Sequence, residues 1–156
     1  MIDYLLISVF VFLGLFVGLF IGWLSKEELK AGEKYFLLLQ KAIFVACVFL
    51  LFYNYNWVLL GCLLSVFFIV LFLKVKKDFV MLSYIAFSFI LFFASFNKQY
   101  LPILSTLVFL YGFPAGSLTY LHSKNKRFSN IVMMIIRKYG LFLILSILFF
   151  IVKILM

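Results

Sequence analysis

Residues 42–73 read AIFVACVFLLFYNYNWVLLGCLLSVFFIVLFL, 32 positions without a charged side chain. The fold turns on whether this run is one helix or two. As one α-helix it would be about 48 Å long at 1.5 Å per residue, against a hydrocarbon core of roughly 30 Å. Two helices fit if the first begins earlier, near Tyr35, and takes in Gln40 and Lys41. The segment Tyr53-Asn54-Tyr55-Asn56-Trp57 then supplies the turn, because Asn favours turns while Tyr and Trp favour the membrane–water boundary.

The basic residues test this division independently. They sit in short clusters between apolar runs: Lys26, Lys30 and Lys34; Lys74, Lys76 and Lys77; and Lys124, Lys126, Arg127, Arg137 and Lys138. With two helices between Tyr35 and Leu73 all three clusters fall on one side of a membrane, whereas a single helix would set the first two on opposite sides, which the positive-inside rule disfavours. The reading is an all-α polytopic integral membrane protein, one domain over residues 1–156. It has six spans, at about 3–24, 35–53, 57–73, 79–96, 101–121 and 139–155, with both termini outside and the basic loops in the cytoplasm. The expected location is the plasma or inner membrane. The N-terminus carries Asp3 and no basic segment, so the first helix reads as a retained anchor rather than a cleaved signal.

Composition supports the class. Of 156 residues 68% are hydrophobic and 12% charged, and Phe alone fills 23 positions. A water-soluble domain needs about a quarter of its residues charged, so a soluble enzyme is excluded, as is a disordered tail; two cysteines are too few for a disulfide scaffold. The net charge of +9 is scattered through loops rather than gathered in a groove, so no nucleic-acid partner is expected.

Within the apolar mass, Gly14, Gly18 and Gly22 lie four residues apart on one face of the first helix. A stripe without side chains lets another backbone approach, which replaces the hydrophobic drive that lipid cannot supply. The partner is either another helix of the same chain or a second subunit. The following loop, Ser25-Lys26-Glu27-Glu28-Leu29-Lys30-Ala31-Gly32, reads as a short capped turn started by Ser25 and ended by Gly32.

The fifth span carries the most suggestive segment, Gly112-Phe113-Pro114-Ala115-Gly116-Ser117. Pro114 removes an N–H and crowds the carbonyl of Leu110. The commoner reading is a proline kink; the functional one is a broken helix whose freed carbonyls meet a solute. Gly112, Pro114, Gly116 and Ser117 are therefore candidate solute-binding or gating residues, and Lys41 joins them as a cation inside an apolar span. Near a helix end such a lysine can snorkel to the interface; facing a cavity, it attracts an anionic solute or lipid head group. Tyr84, Ser88 and Ser95 share a face of the fourth span and read as interhelical hydrogen bonders. Phe128 to Lys138 has amphipathic spacing. With Lys124, Lys126, Arg127, Arg137 and Lys138 it offers a basic surface to anionic lipids.

Catalytic chemistry is not expected. Asp3 and Asp78 fall on opposite faces, His122 stands alone, and Cys47 and Cys62 lie in different spans, so neither a metal site nor a cofactor is implied. Ser117 and His122 form a poor nucleophile–base pair, five residues apart around a proline. Two roles follow: a small transporter, channel or solute-capturing transporter subunit for an uncharged or weakly polar solute, or a non-catalytic subunit or assembly factor of a larger membrane complex. The partners expected are membrane lipids, anionic ones included, and a second copy or a partner membrane subunit.

Overall fold

The computed structural model describes residues 2–25, 27–74, 80–97, 99–123 and 128–155. Among these residues the chain forms seven helices and no strand: α1 (Ile2–Leu24), α2 (Leu29–Asn54), α3 (Val58–Lys74), α4 (Val80–Ala94), α5 (Tyr100–His122), α6 (Phe128–Tyr139) and α7 (Leu141–Leu155). Helix is the form in which a lone apolar segment satisfies its own backbone away from water. Three helices are long and apolar enough to cross a membrane, Tyr4–Leu24 of α1, all of α2 and all of α5, and a fourth if the bent pair α6–α7 counts as one. α3 and α4 are apolar but shorter, at 17 and 15 residues. The described residues are thus all-helical, with several apolar helices that suggest a membrane protein.

α1 and α5 form the centre and run parallel, since Gly14, Gly18 and Gly22 meet Phe109, Phe113 and Ser117 in ascending order. α2 lies along α5 and carries α3, which packs on no other helix to a comparable extent; α4 pairs with α7, and α6 tucks beneath them against α5. The shared core is aromatic: Tyr84, Phe87, Tyr111, Tyr139 and Phe142 are each buried.

Three local features differ from the sequence reading. α2 begins at Leu29 rather than near Tyr35, because Lys30, Glu33 and Lys34 extend it beyond the apolar stretch instead of forming a loop. Gly32 therefore lies inside α2 and ends nothing. Ser25 starts the helix through its backbone, its carbonyl oxygen accepting from the amides of Glu28 and Leu29 at 3.2 and 3.1 Å, not through a side-chain cap. The amphipathic segment and the last expected span, by contrast, fall on two helices as read, α6 and α7, bent by 43° from one another. The intervening residue is Gly140, whose amide donates to Ile136 O at 2.8 Å and where an added Cβ would run into that same oxygen.

Turns at one end of the bundle are tied together by polar groups. Asn56 has φ 57°, a left-handed conformation that Asn tolerates, and the Trp57 amide closes the turn on Phe52 O at 2.9 Å. Asn97 Nδ2 donates to Asn54 Oδ1 at 2.7 Å, and Tyr55 Oη donates to Phe93 O at 3.0 Å. The α2–α3 turn is thus pinned to the α4–α5 turn.

Candidate functional site

The segment Gly112–Ser117 is an unbroken part of α5, which passes helically through Pro114. Its glycines face α1. A methyl group added at Gly18 would meet Gly112 O at 2.5 Å, and one at Gly116 would meet the Leu19 amide nitrogen at 2.6 Å. Ser117 Oγ crosses the seam and donates to Gly18 O at 2.8 Å, while Gly22 rests on Ser117 and Tyr120. Two glycine rows, one per helix, therefore interlock backbone to backbone. The space that a broken helix would open at the proline is occupied by α1, and contact on both sides of Pro114 holds the chain to its helical path. Proline is accommodated in such helices where neighbours surround it.

Lys41 is not part of that seam. It is half-buried on α2 and lines a groove of about 600 Å³ between α2 and α3, together with Leu38, Ala42, Val45, Ala46, Phe49, Ser65 and Ile69. Ala42 and Ala46 give the α2 wall two short side chains among its larger ones. Nearer the turn the same pair closes tightly, with a Cβ at Gly61 meeting Phe52 Cβ at 3.0 Å, and Phe44 packs edge-on to Phe68 at 5.2 Å. With α2 starting at Leu29, Lys41 stands about 18 Å from the helix start, twice the depth expected from a start at Tyr35. Ser65 is nine-tenths buried and its Oγ has no hydrogen-bond partner among the described residues.

Two further polar contacts mark the ends of the bundle. His122 Nε2 and Glu33 Oε1 lie 3.0 Å apart, linking the end of α5 to the start of α2, with both side chains partly exposed. At the opposite end Lys153 Nζ donates to Ser95 O at 2.8 Å and Ser95 Oγ at 2.7 Å, beside the rings of Phe96 at 5.2 Å and Tyr4 at 6.0 Å. The sequence reading did not single out Lys153; a lysine at the tail of an apolar helix was the available signal.

A third constellation was also missed. Tyr84, Tyr111 and Tyr139 gather at the crossing of α4, α5 and α6, with the Tyr84 ring 5.7 Å from Tyr111 and 5.3 Å from Tyr139. Thr119 Oγ1 lies 3.2 Å from Tyr139 Oη and donates to Ala115 O at 2.7 Å. Ser88 Oγ bonds Tyr84 O and Phe142 O at 3.2 and 3.3 Å, joining α4 to α7. These groups are phenols and hydroxyls, and their contacts join α4 to α7 and α5 to α6. The tyrosines are far apart in sequence, and nothing in their spacing announced a cluster.

Of the basic cluster, Arg137 is exposed and Lys138 lies over the Tyr139 ring at 5.4 Å; Lys124, Lys126 and Arg127 lie outside the described residues. Cys47 is buried and Cys62 exposed, both with free thiols, and no group of three or more metal-ligating side chains forms among the described residues. No protein-family model matches the chain, and no curated protein or solved structure matches it.

Proposed function

We propose that the chain is a multi-pass protein of the plasma or inner membrane with six spans and both termini outside, and that it captures or passes a weakly polar solute which reaches it sideways from the bilayer. The observation that supports this most is the lateral groove between α2 and α3, apolar along its length except for Lys41 and Ser65. The α1–α5 seam leaves no comparable space. The six-span topology rests on the alternation of basic loops and takes α3 and α4 as short spans, which a membrane accommodates by thinning locally. A cytoplasm-only fluorescent reporter fused after Met156 stays dark on this topology; a bright fusion rejects it. Liposomes containing only this protein should show solute flux above protein-free liposomes, and absence of flux across a panel of weakly polar solutes removes the transport role.

A second reading, a non-catalytic subunit of a larger complex, draws on α3. Its outer face exposes Leu59, Leu63, Val66 and Phe67, and among the described residues α2 is its main packing partner. That reading predicts no flux from the isolated chain and recovery with a stoichiometric partner from native membranes.

A further inference from the structure

The α2–α3 groove has a polarity pattern that identifies the chemical class of its occupant. Its α2 wall runs from Leu38 to Phe49, about 16 Å at 1.5 Å per residue, and is apolar for most of that length. Lys41 stands near one end. Lys34, exposed on the same helical stripe, lies two turns nearer the start of α2 and one turn from Leu38, so α2 sets two lysines toward this end of the groove. The nearest carboxylate on α2, Glu33, is turned away and paired with His122 of α5. Deeper in, Ser65 offers a buried hydroxyl without a partner among the described residues. Since Gly61 packs on Phe49 and Phe52, and Phe68 on Phe44, Ser65 sits level with Cys47, about 9 Å along the axis from Lys41.

We infer that this groove binds an anionic phospholipid, with the phosphate at Lys41, the glycerol ester region toward Ser65 and one acyl chain along Ala42, Val45, Ala46 and Phe49. A phospholipid meets all three requirements of the groove: a negative head, hydrogen-bonding groups set deeper than the head, and an extended apolar tail. A cation within an apolar wall binds an anion by a charge-assisted hydrogen bond, which is stronger where water is scarce. The side chains of Ala42 and Ala46 leave the tail its space. This lipid site is separate from the weakly polar solute of the transport reading and stands or falls by itself.

The test is native mass spectrometry of the detergent-purified full chain after exchange with equal amounts of phosphatidylglycerol and phosphatidylcholine bearing the same acyl chains. The wild type should retain phosphatidylglycerol on the order of tenfold over phosphatidylcholine, the ratio that one favourable charged contact supplies. Lys41→Gln should bring that ratio close to one, and Ala46→Phe, which fills the tail path, should lower retention of both lipids severalfold. Ala42→Leu, at the exposed rim, gives the same reading if Ala46→Phe does not fold. The Arg137→Gln/Lys138→Gln protein should keep the wild-type ratio. A preference that survives Lys41→Gln, or that disappears in the Arg137/Lys138 variant, overturns the site in favour of general surface attraction. A dimer that Ala46→Phe dissociates overturns it in favour of a second copy of the chain. Lipid selectivity without flux leaves the site standing and removes the transport role; flux without lipid selectivity does the reverse.

Discussion

The α1–α5 seam and the α2–α3 hairpin are both pairs of apolar helices with small residues on their facing sides, yet one is shut and the other is open. In the seam both helices contribute glycines in matching register, so that Gly14, Gly18 and Gly22 meet the segment around Gly112 and Gly116 with backbone in the gap. In the hairpin Ala42 and Ala46 of α2 line the groove with Ser65 and Ile69 of α3, and the glycine of α3, Gly61, packs on Phe52 nearer the turn. Without glycines of both helices in register the backbones stay apart by the length of side chains. Matching glycine rows close an interface; alanine and serine without them leave a groove.

Bulk introduced into each pair should break this contrast most visibly. Gly18→Leu places a side chain against the backbone of Gly112 and Phe113, which cannot retreat as a side-chain tip can. Overpacking costs about 1–3 kcal/mol where neighbours adjust, and here the cost should reach or exceed the top of that range. The expected result is loss of monodisperse protein in detergent or a large drop in thermal midpoint. Ala46→Leu in the hairpin enters open space, so its midpoint should stay near the wild type. Equal damage at both positions would show that the groove is filled by protein.

Lys153 comes next in expected effect. Its ammonium makes two hydrogen bonds to Ser95 at 2.8 and 2.7 Å, tying α7 to the end of α4. Hydrogen bonds to charged groups contribute about 1.5–3 kcal/mol, and Lys153→Met should lower stability by about that amount in reversible unfolding in mixed micelles. Ser117→Ala probes the seam more gently, removing the hydroxyl donated to Gly18 O while keeping the close approach. Interhelical hydrogen bonds in membranes average about 0.6 kcal/mol, so a midpoint change several times smaller than that of Gly18→Leu is expected. The smallest effect belongs to the partly exposed pair His122–Glu33, where Glu33→Gln should cost about 0–1 kcal/mol. A large loss there would mean that the end of α5 depends on the start of α2 more than its exposure implies.

Much of the helical layout was legible because hydrophobicity and charge act locally. The turn at Tyr53–Trp57 announced itself through Asn and interfacial aromatics, and the amphipathic spacing of Phe128–Lys138 marked α6 before the last apolar helix. The start of α2 was misplaced because Lys30, Glu33 and Lys34 are compatible with either a loop or an exposed helical turn, and only backbone hydrogen bonds separate the two. The site was less legible for a different reason. Glycine spacing on α1 states that a backbone will approach but not whose; the matching glycines on α5, read as candidate solute-binding or gating residues, were its partner. Neither the groove at Ala42 and Ala46 nor the meeting of Tyr84, Tyr111 and Tyr139 has a sequence signature, because each depends on which helices become neighbours.

The pairing of α1 with α5 also imposes a timetable on biogenesis. α1 ends at Leu24 and α5 at His122, so at about 5–20 residues per second of synthesis the glycine face of α1 waits roughly 5–20 s in the bilayer before its partner is complete. During that interval its bare backbone stripe is open to any other helix with small residues. The cell must either tolerate a transient wrong neighbour or shelter α1 until the fifth helix arrives. Slowing synthesis between Lys74 and Tyr100 would lengthen that exposure, and quality-control proteolysis would then increase even though the finished sequence is unchanged.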